Sequence, residues 1–150
     1  MSKITCTFFG HRDCPADIRP LLYSSIEKLI VNDGVNHFLT GNQGKFDAYV
    51  QGALLQLKQR YPHITYCVVL AYLPAQSQRT ELPTVFPEGM ENVPAKFAIS
   101  RRNHWMLKQS DIVLSYIARP WGGAAQMANR AARQGKTVIN LYRYNEKSDT

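Results

Sequence analysis

Strand-like runs alternate with helix-like segments along almost the whole chain. The helix-like segments place apolar side chains at helical spacing, as in the stripe that begins at Phe46, Tyr49 and Val50. The runs between them are rich in β-branched and aromatic residues and cover 4–10, 37–40, 64–70, 112–117 and 137–141. This alternation is typical of a doubly wound α/β sheet with right-handed crossovers. We therefore predict one Rossmann-like three-layer domain over residues 1–150, with a mainly parallel sheet of about five strands flanked by helices.

Two segments depart from this alternation. Residues 72–98 have no regular pattern and are interrupted by Pro74, Pro83, Pro87 and Pro94. A loop of that length in a small domain is either a lid over a site or a plain surface excursion, and both readings stay open. Residues 143–150 are polar, which predicts a loosely held tail.

The composition limits the classes of function. The net charge is +7, which permits binding of phosphates, free or polymeric. No apolar run is long enough to span a membrane, and the first residues lack a signal-peptide pattern, so we expect a cytoplasmic protein with no membrane partner. Three cysteines do not form a disulfide framework, and the four histidines lack paired ligand spacing, so we expect neither a metal nor a cofactor.

Glycine-bearing loops follow three of the predicted strands. They are Gly10-His11-Arg12, the segment from Thr40 through Gly41 to Gly44, and Trp121-Gly122-Gly123. Ligands of such sheets bind beyond the carboxyl ends of the strands, near the point where the strand order switches. The three loops are therefore expected to converge at one edge of the sheet and to form a ligand site there.

The strongest chemical signal is the glycine pair that opens a predicted helix. Gly122 and Gly123, followed by Ala124, expose backbone N–H groups on which a phosphate can sit, although a tight turn alone also explains them. Arg102 and Asn103 begin the preceding helix. We expect Arg102 to be partly exposed, to clamp a phosphate with two hydrogen bonds and to contribute little to stability.

The other candidate side chains each have an ordinary structural explanation as well. His11 and Arg12 could supply an acid–base imidazole and a phosphate contact, or could form a surface loop. Asp47 could cap the second helix or accept ribose hydroxyls. Trp105 and Trp121 could stack on a base, but core packing is the expected role of both.

Four motifs in order resemble the SLOG superfamily. They are F-F-G-H-R after the first strand, the run from Thr40 to Asp47 after the second, R-N-x-x-M-x-x-x-S-D before the fourth, and G-G-x-A after it. This Rossmann-like superfamily contains the Lonely-guy phosphoribohydrolases and the DNA-processing SMF proteins. The chain is most similar to a small stand-alone bacterial branch that carries the same G-H-R motif. The resemblance covers residues 4–141 and implies the same fold and a nucleotide-like ligand.

The resemblance also bears on catalysis. By position, Arg102 matches an arginine of the Lonely-guy enzymes, but Asn129 occupies the position of their catalytic glutamate. Ala125-Gln126 also replaces a Gly-Thr pair of their motif. Without that carboxylate, binding is better supported than cleavage of an N-glycosidic bond.

The function predicted from the sequence is binding or sensing of a nucleotide or nucleotide-derived phosphate, such as an ADP-ribose-like molecule. One alternative is an enzyme acting on a nucleoside monophosphate, with Arg102, His11 or Asp47 in the chemistry. The other is nucleic-acid binding, which the positive charge and the resemblance to SMF proteins favour. Formation of a homo-oligomer stays open.

Overall fold

A computed structural model describes residues 2–73 and 82–142 of the chain. The predicted polar tail, 143–150, lies outside the described residues. Short 3-10 turns lie at Ala16–Ile18, Met90–Asn92 and Ala95–Phe97. The strands and helices, in chain order, are β1 (Thr5–Gly10), α1 (Arg19–Asp33), β2 (His37–Thr40), α2 (Gly44–Arg60), β3 (Thr65–Val69), β4 (Thr84–Val85), α3 (Ala98–Lys108), β5 (Ile112–Tyr116), α4 (Gly123–Arg133) and β6 (Thr137–Asn140).

The strands form a parallel sheet in the order β4-β3-β2-β1-β5-β6. From β1 the chain builds outward through β2 and β3 to β4, and then returns to the other side of β1 to add β5 and β6. The order therefore switches between β1 and β5. The prediction of a Rossmann-like α/β fold is confirmed.

The sheet has one strand more than the sequence pattern indicated. β4 lies within the segment predicted as an irregular loop, and it pairs with β3 through Val68↔Thr84 and Val69↔Val85. Leu82, just before β4, packs against Val68 and Leu70. A strand of two residues next to a proline is too short to give a periodic signal. The described part of this segment thus extends the sheet, and residues 74–81 lie outside the description.

Apolar side chains cover both faces of the sheet. Phe8, Phe38 and Leu114 pack with α1 and α2 on one face. On the other face, Phe9 and Val113 pack with α3 and α4. Within the described residues, no helix is both long and apolar enough to cross a membrane. Because both faces are filled with helices, the loops at the carboxyl ends of the strands are where polar groups can gather.

Candidate ligand-binding site at the switch point

A cavity of about 350 Å³ lies beyond the carboxyl ends of β1 and β5, and we call it the switch-point cavity. The structure brings to it most of the residues singled out in the sequence: Gly10, His11, Arg12, Asp47, Arg102, Asn103, Trp121, Gly122, Gly123 and Ala124. Its lining also includes residues that were not among the predicted ligand contacts: Phe8, Phe9, Gln43, Ile99, Met106 and Arg119. Thr40, Gly41 and Gly44 are not part of the lining.

The start of α4 forms one wall of the cavity. Gly122 precedes the helix with φ of 97°, a left-handed conformation that favours glycine. In the part of the chain that is described, no side chain caps this helix. A Cβ added at Gly122 or Gly123 would meet no described atom within 4 Å. The first N–H groups of α4 thus lack intrahelical partners, and the backbone at Gly122 and Gly123 is bordered by open space, as an anion site requires.

Arg102 is buried, contrary to the expectation of a partly exposed arginine. Only 2% of its surface is accessible. Its guanidinium donates to Val69 O at 2.9 Å, to Gln43 Oε1 at 2.7 Å and to Asn103 Oδ1 at 2.9 Å. Arg102 therefore joins α3 to β3 and to the loop before α2. The expected partial exposure, on which the prediction of a small contribution to stability rested, is wrong. Three protein acceptors depend on Arg102, so we now expect a large contribution.

Asp47 lies beside Arg102 and is also buried. Its Oδ2 accepts the backbone N–H of Gln43 at 2.9 Å. Burial raises the pKa of Asp47 to about 6, although the Gln43 N–H and the positive charges of Arg102 and Arg12 oppose that shift. A Cβ on Gly41 would lie 2.8 Å from Asp47 Oδ2 and 2.9 Å from Arg102 Nη1. A side chain at Gly41 would therefore press on this buried pair of side chains.

Close packing holds the backbone at three further predicted site residues, Thr40, Gly44 and Gly10, of which only Gly10 lines the cavity. The Thr40 side chain is fully buried. Gly44 packs so closely that a Cβ would lie 2.6 Å from Arg12 Cα, and the N–H of Lys45 donates to Arg12 O at 2.9 Å. Gly10 lies under the ring of Phe46, where a Cβ would come within 2.3 Å. These contacts fasten the start of α2 to the loop after β1.

His11 is buried at the end of β1 and connects it to the loop after β5. Its Nε2 accepts the backbone N–H of Arg119 at 3.3 Å, and its ring packs edge-on against Tyr116. Burial lowers the pKa of His11, the charge of Arg119 lowers it further, and Asp13 opposes both. Arg119 is itself held by two hydrogen bonds to Asp13, at 3.0 and 3.2 Å. Because Nε2 accepts the backbone N–H of Arg119, the proton of the neutral imidazole lies on Nδ1.

Arg12 and Trp121 lie at the rim of the cavity. Both side chains are exposed, and Trp121 has 65% of its surface accessible. The expectation of core packing is thus wrong for Trp121. It is right for Trp105, which is half-buried and packs among the apolar residues between the sheet, α3 and α4. Within residues 2–73 and 82–142, Arg12 forms no ion pair.

A larger groove of about 770 Å³ lies on the other side of α4, against β5 and β6. Alanines of α4 form much of its wall. The side-chain amide of Asn140, which also lines it, is already hydrogen-bonded to the protein. Asn140 accepts the N–H of Ile117 and donates to its carbonyl oxygen, at 3.0 and 3.1 Å. The smaller switch-point cavity is the better candidate site because it is bordered by the uncapped start of α4 and by the exposed side chain of Arg12.

The fold and the cavity together define a Rossmann-like protein with its polar groups gathered at the switch point, and comparisons with solved structures agree on the fold. DprA from Streptococcus pneumoniae has a TM-score of 0.68 and 17% identity, over 91% of this chain and 49% of that chain. DprA from Helicobacter pylori has a TM-score of 0.64 and 13% identity, over 97% of this chain and 73% of that chain. The Moco carrier protein from Chlamydomonas reinhardtii has a TM-score of 0.55 and 17% identity, over 94% of this chain and 77% of that chain. The Rossmann-like fold that the sequence resemblance implied is confirmed by these neighbours.

In sequence, the chain is 28% identical over 98 residues to a UPF0398 protein of Halalkalibacterium halodurans. That match covers 65% of this chain and 43% of the relative. The chain thus spans less than half the length of this relative and of the pneumococcal DprA chain. No known family profile matches the chain.

Proposed function

We propose that the switch-point cavity binds a nucleotide or a nucleotide-derived phosphate. The observation that carries the proposal is the uncapped start of α4, which opens into a cavity at the switch point of the sheet. The N-terminal end of a helix carries about half a unit of positive charge, and its free N–H groups can hydrogen-bond to phosphate oxygens. Ligands of doubly wound sheets bind at this place in the fold.

Arg12 supplies the direct cationic contact to the phosphate. Its side chain is exposed at the rim and forms no ion pair with any described residue, so it is free to turn towards a ligand. Arg102, which is committed to three protein acceptors, contributes its charge from below the cavity. Part of that charge is offset by Asp47, as the effect of Arg102 on the pKa of Asp47 indicates.

The rest of the cavity suits the remaining parts of a nucleotide. The exposed ring of Trp121 can stack on a base at the rim. Asp47 lines the cavity with a carboxylate that can accept hydrogen bonds from ribose hydroxyls. The end of β1, at Phe8 and Phe9, borders the cavity at its base.

Binding is better supported than catalysis. Asn129, which replaces the catalytic glutamate of the Lonely-guy enzymes, does not line the cavity and lies in the grooves on either side of α4. The structural neighbours are a DNA processing protein, in one case described with its single-stranded DNA binding mode, and a Moco carrier protein. These names support a binding role and leave the ligand of this chain to experiment.

The test is a thermal-shift screen with AMP, ADP-ribose, NAD and cyclic AMP, followed by titration calorimetry of each ligand that shifts the melting curve. A ligand at 100 times its Kd adds about 2.7 kcal/mol of stability. Gly123→Val should abolish or weaken binding at least tenfold and leave a folded protein, because the new side chain enters open space at the anion site. Ala132→Val is the matched control, since it adds a β-branched residue to an exposed position of the same helix outside the cavity.

Arg12→Gln should weaken binding of the same ligand about tenfold to a hundredfold, since a hydrogen bond to a charged group contributes roughly 1.5–3 kcal/mol. Arg19→Gln removes one exposed arginine from α1 and should leave affinity unchanged. Absence of any thermal shift, or equal affinity of the Gly123→Val and parent proteins, would contradict the proposal.

A further inference from the structure

The two helices on one face of the sheet carry no acidic residue. The sequences of α3 and α4 contain Arg101, Lys108, Arg130 and Arg133 as exposed cations but neither Asp nor Glu. On the opposite face the signs are mixed, and Arg60 of α2 forms an ion pair with Glu27 of α1 at 2.6 Å. The cations of α3 and α4 thus lack carboxylate partners on their own helices.

A groove of about 430 Å³ runs between these two helices, and we call it the α3–α4 groove. None of its described lining residues is acidic. They are Ile99, Ser100, Asn103, His104, Gly123, Gln126, Met127, Asn129, Arg130 and Arg133. Cations and amides therefore face a concave surface, where an anion can contact several of them at once.

The charges in the groove converge on His104. Its ring is partly buried in the groove, and Arg101 and Arg130 lie close enough to lower the pKa of His104 together with burial. An anion in the groove would lie near these guanidinium groups and would be attracted by each of them. The groove is thus a surface on which a negatively charged group can approach more than one cation.

The groove continues from the switch-point cavity. Ile99, Asn103 and Gly123 line both spaces. We propose that the α3–α4 groove is a second anion subsite that holds a further phosphate of the ligand whose first phosphate lies at the start of α4. The ligand is therefore a molecule with phosphates on more than one unit. A dinucleotide joined by a polyphosphate and a short single-stranded phosphodiester chain share this chemistry.

This inference rests on the proposed function, and the experiment separates the two. Titration calorimetry is carried out with AMP, with diadenosine tetraphosphate and with a single-stranded hexamer of deoxyadenosine. The parent protein should bind at least one of the two longer probes about tenfold more tightly than AMP. Preference for the tetraphosphate identifies a polyphosphate ligand, and preference for the hexamer identifies a phosphodiester strand.

The key variant is the double substitution Arg130→Gln and Arg133→Gln, whose residues lie outside the lining of the switch-point cavity. This double variant should bind the longer probe no more tightly than AMP, and its affinity for AMP should equal that of the parent protein. If the hexamer is preferred, the slope of log affinity against log salt should also decrease by about 1.4, for two lost phosphate contacts. The double substitution Arg19→Gln and Lys28→Gln, on the exposed face of α1, is the control with the same change in net charge.

The outcomes are distinguishable. If AMP binds and the longer probes bind no more tightly, the subsite is refuted and the proposed function stands. If both double variants weaken the longer probes equally, the effect is one of net charge and the groove is refuted. If no nucleotide binds, the proposed function fails. In that case, a titration with inorganic tripolyphosphate tests the groove alone. If the Nε–Hε NMR signals of Arg130 and Arg133 do not change during this titration, the anion subsite in the groove is refuted.

Discussion

Replacement of Arg102 by methionine should destabilise the fold strongly. Methionine fills similar space but leaves Val69 O, Gln43 Oε1 and Asn103 Oδ1 without their donor. It also removes the positive charge that most strongly favours ionisation of the buried carboxyl of Asp47. Removal of one member of a buried charged pair costs about 3–5 kcal/mol. At about 2–4 °C per kcal/mol for a domain of this size, the Tm should fall by roughly 6–20 °C.

Arg101 provides a matched control, because it is the adjacent arginine on the same helix and is exposed. Arg101→Met should change stability by less than about 0.5 kcal/mol. Urea unfolding followed by circular dichroism measures both variants. Asp47→Asn in the Arg102→Met background should recover part of the loss, since the amide needs no opposing charge. Equal midpoints for the Arg101→Met and Arg102→Met proteins would refute the assignment of Arg102 as a buried structural junction.

Three further changes follow from the geometry of the cavity. Gly41→Ala should lower the free energy of unfolding by about 1–3 kcal/mol in a thermal melt, because the new Cβ would press on Asp47 and Arg102. Gly52→Ala is the control: its Cβ meets open space within α2, so it should stabilise the protein by about 0.5–1 kcal/mol. Burial raises the pKa of Asp47 from its ordinary value of 3.8 to about 6 in the folded state. The folded protein therefore keeps this proton to higher pH than the unfolded chain does, and stability falls as the pH rises between the two values. Relative to Asp47→Asn, the parent should lose up to about 3 kcal/mol across that interval in urea melts, and parallel pH profiles would contradict the shift. Arg119→Gln should raise the pKa of His11 and Asp13→Asn should lower it, as measured by NMR titration of the imidazole, because the two charges act on it in opposite directions; shifts of the same sign would contradict this reading.

Local patterns predicted the parallel sheet and the meeting of its loops. Each strand run is apolar enough to be covered on both faces, and each helix carries an apolar stripe, so the alternation alone requires a doubly wound arrangement. The convergence of Gly10 and Gly122 at one edge follows from that arrangement, because parallel strands all end at the same side. Their place in the cavity lining agrees with this reasoning.

The burial of Arg102 could not be read from local pattern, because it depends on partners distant in the chain. Val69 and Gln43 lie 33 and 59 positions away from Arg102. The same holds for Gly41, where a side chain would press on a pair of side chains delivered by two different helices. The exposure of Trp121 depends on the conformation of the loop after β5, and the residue types in that loop do not predict its conformation. Long-range packing thus decided the roles that the residue types left open.

The pairing of β1 with β5 has a consequence for synthesis of the chain on the ribosome. β1 is a central strand, yet its β5 side is closed by residues far downstream, and the Thr5 N–H bonds to the Asp111 carboxylate across 106 positions. At about 5–20 residues per second, that separation corresponds to roughly 5–20 s of translation. During this interval β1 of the nascent chain is an exposed apolar edge that can pair with other strands. The N-terminal half therefore depends on the late arrival of β5 to bury this edge.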